Sequence, residues 1–119
     1  MTRLAERKCV PCEGGEPPAG PEEIERLHRD VPEWRIVERD GVKRLERKFT
    51  FDDFASALEF TNRVGEAAED AGHHPLLTLT WGEVTAAWWT HAIGGLHAND
   101  FIMADRTDAL YGRTAGARV

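Results

Sequence analysis

Asp40-Gly41 leaves this chain little freedom. A two-residue type I′ hairpin turn demands positive φ at both central positions, and Asp-Gly is one of the few dipeptides that accept it. Trp34 to Phe49 therefore reads as two antiparallel strands. The turn pairs Ile36 with Leu45 and Glu38 with Lys43. One pair is apolar and the other oppositely charged, so the register agrees with its own side chains.

A second hairpin spans Leu76 to Trp89, with a Gly-first turn at Gly82-Glu83. Leu77, Leu79 and Trp81 then share a face with Val84, Ala86 and Trp88, and Thr78, Thr80, Thr85 and Trp89 take the other. Such alternation belongs to a sheet covered on one side. Between the hairpins, Thr50 with Asp53 resembles a capping box. Phe51, Phe54, Ala55, Leu58, Thr61, Val64 and Ala68 then recur at helical spacing, and Gly72 stops the helix after Ala71. An earlier short helix starts at Pro21, buries Ile24, Leu27 and Val31, and is closed by Pro32. A last helix, capped by Asn99 or Asp100, carries Phe101, Ile102, Ala104, Ala109 and Leu110.

The order α-β-β-α-β-β-α predicts an α+β domain: a four-stranded antiparallel sheet with helices packed on one face. Its expected limits are residues 21–112. Residues 1–20 read as a polar arm that does not pack, and 113–119 as a frayed C-terminal tail. A length of 119 residues suits one such domain.

Charge and composition remove several functions. The net charge is -6, with no basic stripe, which argues against nucleic acid as a partner. No apolar stretch approaches the roughly 20 residues of a membrane span. Met1 to Lys8 lacks the apolar core of a secretory signal, so a cytoplasmic protein is expected. Cys9 and Cys12 are the only cysteines, too few to complete a tetrahedral zinc site. They read as reduced surface thiols, with a metal shared between subunits or a redox role as the alternatives.

The chemistry gathers at His73-His74-Pro75, the seam between the long helix and the second hairpin. Extending the hairpin register outward sets His74 opposite His91, with Cβ atoms about 4.5–5.5 Å apart. His73, at the helix end, points elsewhere. Glu69, one turn before His73, can orient that ring, and Asp100 can accept from another imidazole or from a ligand. Imidazoles titrate near neutrality and suit paired proton transfers. A purely structural histidine pair is the bland alternative. Zinc is the sharper rival, but adjacent histidines rarely reach one ion together. Ser56, the only serine, lies inside a helix, and no phosphate-cradling loop or dinucleotide fingerprint occurs.

These spacings have a family likeness. Glu69, three residues, His73-His74-Pro75, five residues, Trp81, nine residues, His91, eight residues, Asp100 resembles the signature of the pterin-4a-carbinolamine dehydratases. Thr90-His91, Gly94-Gly95-Leu96, Asn99-Asp100-Phe101 and the Cys9 to Gly15 arm resemble bacterial members. The likeness covers residues 9–110. It implies the same α+β fold and a lyase that removes water from 4a-hydroxytetrahydropterin to give quinonoid dihydropterin. That reaction recycles the tetrahydropterin of aromatic amino-acid hydroxylases and uses no metal or bound cofactor. It further implies His73, His74 and His91 as catalytic residues, Glu69 and Asp100 as supporting carboxylates, and Pro75 and Thr90 in the segments lining the pterin. Trp34 has two readings, a cover for the pterin ring or a core or interface residue. His28 and His97 match no position of the signature and read as solvated. Family members pair through sheet edges as homodimers or homotetramers. A non-catalytic coactivator or assembly protein on the same fold is the alternative function.

Overall fold

The computed structural model describes residues 4–6 and 17–119; Cys9 and Cys12 lie outside them. Seven main elements follow in order: α1 (Pro21–His28), β1 (Arg35–Arg39), β2 (Val42–Thr50), α2 (Phe54–Ala71), β3 (Leu76–Thr80), β4 (Glu83–Trp88) and α3 (Ala98–Gly112). Short 3₁₀ turns occupy Leu4–Glu6 and His91–Ile93. The sheet order is β1-β2-β4-β3, antiparallel throughout. Leu45, Phe49, Val84, Ala86 and Trp88 are buried on the face that α2 and α3 cover. The molecule is thus the α+β domain that its hairpin and helix order predicts.

The first hairpin follows its sequence. Ile36 pairs with Leu45 and Glu38 with Lys43. Asp40 and Gly41 take φ of 53° and 78°, the left-handed values that a tight hairpin needs.

The second hairpin departs from expectation. Thr80 pairs with Glu83 and Leu76 with Ala87, so the turn is Trp81-Gly82. Gly82 supplies its positive φ, 69°, at the second turn position, and its carbonyl accepts the Phe51 N–H at 2.8 Å. The register moves by two residues, so every side chain keeps its face. Trp81 leaves the strand and is 68% exposed. The ladder ends at Leu76, and the predicted pairing of His74 with His91 does not form.

α2 begins later than its spacing suggests. Thr50 belongs to β2, and Phe51 bridges to Ala117 in the tail. The N-cap is Asp53, whose carboxylate accepts the Ser56 N–H at 2.7 Å. The buried stripe is Ala57, Phe60, Val64 and Ala68; Phe54 and Leu58, expected inside, are exposed. Gly72 ends the helix in the left-handed conformation at φ 65°.

Leu4–Glu6 and the C-terminal tail pack more than their composition suggests. Leu4 is buried, and α3 clasps the backbone of Ala5: its N–H meets Asp105 Oδ2 at 2.8 Å and its carbonyl meets Arg106 Nε at 2.9 Å. The expected fraying of the C-terminal tail is corrected. Gly116 O accepts from Asp52 N, and Arg118 N donates to Thr50 O. A Cβ at Gly116 would lie 2.2 Å from Ser56 Oγ, so the close approach requires glycine.

Candidate functional site

The end of α2, the start of β3, the end of β4 and the first turn of α3 meet at one edge of the sheet. Gly72 turns the chain out of α2, and His73 N–H still reaches back to Ala68 O at 3.1 Å. Pro75 then prevents helical continuation and leads directly into β3. The two adjacent histidines are thereby sent to different partners.

His73 is the held ring. Its Nε2 donates to Asp100 Oδ1 at 2.6 Å, and its side chain is only 12% exposed. It also stacks on Trp88, with centroids 5.5 Å apart and planes 22° apart. Trp88 is buried and donates from Nε1 to Thr107 Oγ1 at 3.2 Å, so the stack rests on a fixed indole.

His74 is the open ring. Its Nε2 donates to Glu69 Oε1 at 2.5 Å, and the two side chains are 59% and 78% exposed. The spacing of Glu69 before His73 suggested that Glu69 orients His73; it takes His74 instead. Each ring donates through Nε2, which leaves Nδ1 as the lone-pair nitrogen of the neutral tautomer.

Asp100 organises the rest. Fully buried in the first turn of α3, it accepts from Thr90 Oγ1 and from His97 N–H through Oδ2, both at 2.9 Å. Oδ1 remains for His73. Thr90 is buried, and its backbone brackets the loop by pairing with Gly95. The short 3₁₀ turn carrying His91 sits inside that bracket.

His91 is exposed and lies against Trp89, with centroids 4.4 Å apart. Arg44 covers the same indole at 4.0 Å. Trp88 and Trp89 point to opposite faces of the sheet, so one backbone step gives His73 an inner platform and His91 an outer one. His73, His74 and His91 therefore end at the same edge without forming one cluster. Among the described residues, no three His, Cys, Asp or Glu side chains group closely enough to hold a metal ion.

Outside this constellation two readings are revised, those of His97 and His28, and Trp34 takes the core reading of its two. His97 is the N-cap of α3: its Nδ1 accepts the Asn99 N–H at 3.0 Å. The sequence held this signal, since Asp100 stands three residues after His97 as in a capping box, but histidine is an uncommon cap. His28 donates from Nε2 to Trp34 O at 2.5 Å and is also not solvated. Trp34 is a core residue, 1% exposed, donating to Asp108 Oδ1 at 2.8 Å.

A four-stranded antiparallel sheet backed by helices, with two histidine–carboxylate pairs at one edge, defines a class of small α+β protein. Comparison with known proteins gives the class its family. The family described as Pterin 4 alpha carbinolamine dehydratase matches residues 17–110. A Chlorobaculum tepidum protein provisionally named pterin-4-alpha-carbinolamine dehydratase is 56% identical over 110 residues, 92% of this chain and 99% of its own. A relative of the same provisional name from Microcystis aeruginosa is 52% identical over 111 residues, 93% of this chain and 96% of its own. The chain belongs to the pterin-4-alpha-carbinolamine dehydratase family. Among solved structures, a transcriptional coactivator/pterin dehydratase from Brucella melitensis superposes with TM-score 0.71 at 27% identity, over 78% of this chain and 97% of that one. A pterin dehydratase-like RuBisCO assembly factor of the alpha-carboxysome shares the fold, with TM-score 0.56 at 23% identity, over 65% and 87%.

Proposed function

We propose that this protein is a 4a-hydroxytetrahydropterin dehydratase acting by histidine acid–base chemistry. The observation that carries the reading is the adjacent pair His73 and His74, each donating through Nε2 to its own carboxylate. A ring held that way offers Nδ1 to a substrate as a base. His91 carries no carboxylate partner among the described residues and faces solvent, from which it can reload a proton. In this reading His91 protonates the 4a-hydroxyl, the C4a–O bond breaks, and water leaves. One of the carboxylate-held rings takes the N5 proton, and the freed electron pair closes the C4a–N5 double bond of the quinonoid dihydropterin. Protons and electrons balance within the substrate and the histidines, with no other reactant. Pro75 and the Thr90 segment line the pterin, Glu69 and Asp100 fix the tautomers, and the product returns to the tetrahydropterin pool of a hydroxylase.

The test is turnover of enzymatically generated 4a-hydroxytetrahydropterin, followed by the appearance of the quinonoid product. Purified protein should exceed the spontaneous rate, and His74→Ala and His91→Ala should each slow it by about a hundredfold. Unchanged rates in both variants would overturn these roles.

Self-association belongs to the same proposal. β1 and β3 are sheet edges with unpaired main-chain groups, and Phe54 and Leu58 are 44% and 40% exposed on α2. Light scattering after size exclusion should report a dimer or tetramer; a monomer at micromolar concentration argues against it. The exposed α2 residues also favour the second reading, a binding or assembly role on this fold. A stable hetero-complex together with absent turnover would replace the enzymatic proposal with that one.

A further inference from the structure

His97 reaches the site through the helix cap. Its Nδ1 accepts the Asn99 N–H, its own N–H donates to Asp100 Oδ2, and its carbonyl accepts the Asp100 N–H at 3.0 Å. Asp100 is 0% exposed, so its carboxylate has no water to turn toward. Oδ2 is committed to the cap and to Thr90, and only then does Oδ1 face His73 at 2.6 Å. Rotating the carboxylate breaks the cap, and fraying the cap turns the carboxylate. One group thus ends a helix and aims an imidazole.

We propose that His97 is a positioning residue: its ring, by capping α3, sets the orientation of Asp100 and through it that of His73. The inference rests on the dehydratase reading, in which the aim of His73 matters to turnover. The cap needs a side-chain acceptor within reach of the first-turn N–H groups, a place that Asn fills and Ala does not. Gln carries the same amide one methylene further out, beyond that reach.

Asp53 supplies the control. It caps α2 with a comparable bond to Ser56 N–H, at the far end of an 18-residue helix from His73, about 27 Å away at 1.5 Å per residue. Loss of either cap weakens a helix, but only loss of the His97 cap frees Asp100.

The experiment compares His97→Ala, His97→Asn and Asp53→Ala in the full chain. Unfolding midpoint, kcat and KM are measured, together with the ring nitrogen and carbon NMR signals of His73. Both alanine variants should melt below the wild type. His97→Ala should lose about tenfold in kcat with little change in KM, since small misplacements of a reacting group cost that much or more. Asp53→Ala should keep the wild-type kcat, and His97→Asn should restore it. The His73 ring signals should move in His97→Ala and stay in Asp53→Ala. Equal kcat in the two alanine variants, or unmoved His73 signals in a folded His97→Ala, overturns the proposal. If His97→Ala does not fold, His97→Asn is compared with His97→Gln in the same way. The ring signals need no turnover, so an inert wild type would sink the dehydratase reading while the role of His97 is still decided by them.

Discussion

His73 Nε2 donates to Asp100 Oδ1 across 2.6 Å, and that same carboxylate caps the helix on which Asp100 sits. Asp100→Asn keeps the volume and a single acceptor oxygen, but its amide nitrogen must then meet either Thr90 and His97 or His73. Turnover should fall by about a hundredfold or more, the scale of a mispositioned proton-transfer group. Circular dichroism should report an intact fold, and stopped-flow kinetics the lost rate.

Trp88 is the platform beneath His73. It is fully buried, so Trp88→Ala should cost about 3–5 kcal/mol by chemical denaturation. Trp88→Phe keeps an aromatic face and loses the bond to Thr107. Thr107 still donates to Met103 O at 2.7 Å, so this loss is nearer 1 kcal/mol. Turnover should survive the phenylalanine and not the alanine.

The pair His74 and Glu69 separates stability from chemistry. Both side chains are more than half exposed, so Glu69→Gln should shift stability by less than about 1 kcal/mol. The same substitution removes the anion that holds the His74 tautomer and should lower kcat. Parallel urea titrations and rate measurements distinguish the two effects.

Asp108 gives the fold a pH dependence of unusual sign. Burial pushes its carboxyl above the ordinary range, against the opposing pull of hydrogen bonds from Trp34 and Arg47 and the Arg47 charge. A raised acid binds its proton more readily when folded. Its contribution is complete below the unfolded value, about 4, and is lost as pH rises through the folded value. Glu46, held low mainly by its bond from Arg39, and Asp53, held low mainly by the Ser56 N–H, act in the opposite direction. The measurable quantity is therefore a difference. The stability of Asp108→Asn relative to wild type should improve as pH rises from 3 to 7, a trend readable from urea midpoints.

Tyr111 ties the tail. Its hydroxyl lies 2.9 Å from Thr50 O and 2.8 Å from Arg118 O, one proton shared between two carbonyls. Tyr111→Phe should cost about 1 kcal/mol. The Arg118 amide, bonded to Thr50 O, should then exchange with solvent measurably faster.

Much of this was legible in the chain. Asp40-Gly41 determined a register because left-handed φ at two successive positions admits few residues and the flanking pairs agree. Gly72 marked the end of α2 for the same steric reason. The residues of the candidate site were legible by type and spacing, since a helix end, a proline and a hairpin bring them to one sheet edge whatever the side-chain details. Their pairing was not. The second turn falls one residue before its expected place, which moves the register by two, because Gly82 serves as the second turn residue and its carbonyl binds Phe51, a contact with no local signature. That shift removed the facing of His74 and His91.

The sequence by itself determined the element order, the faces of the sheet and the set of titrating side chains, because these depend on backbone sterics and periodicity along the chain. Only the tertiary structure decided that Glu69 serves His74, that Asp100 serves His73, and that Trp88 and Trp89 divide His73 and His91 between two faces. The Asp100–His73 pairing spans 27 positions, and the Glu69–His74 pairing depends on how Gly72 turns the chain out of α2. For Asp100 burial is the reason: sealed from bulk water, its carboxylate has, among the described residues, the helix cap, Thr90 and His73 to satisfy it.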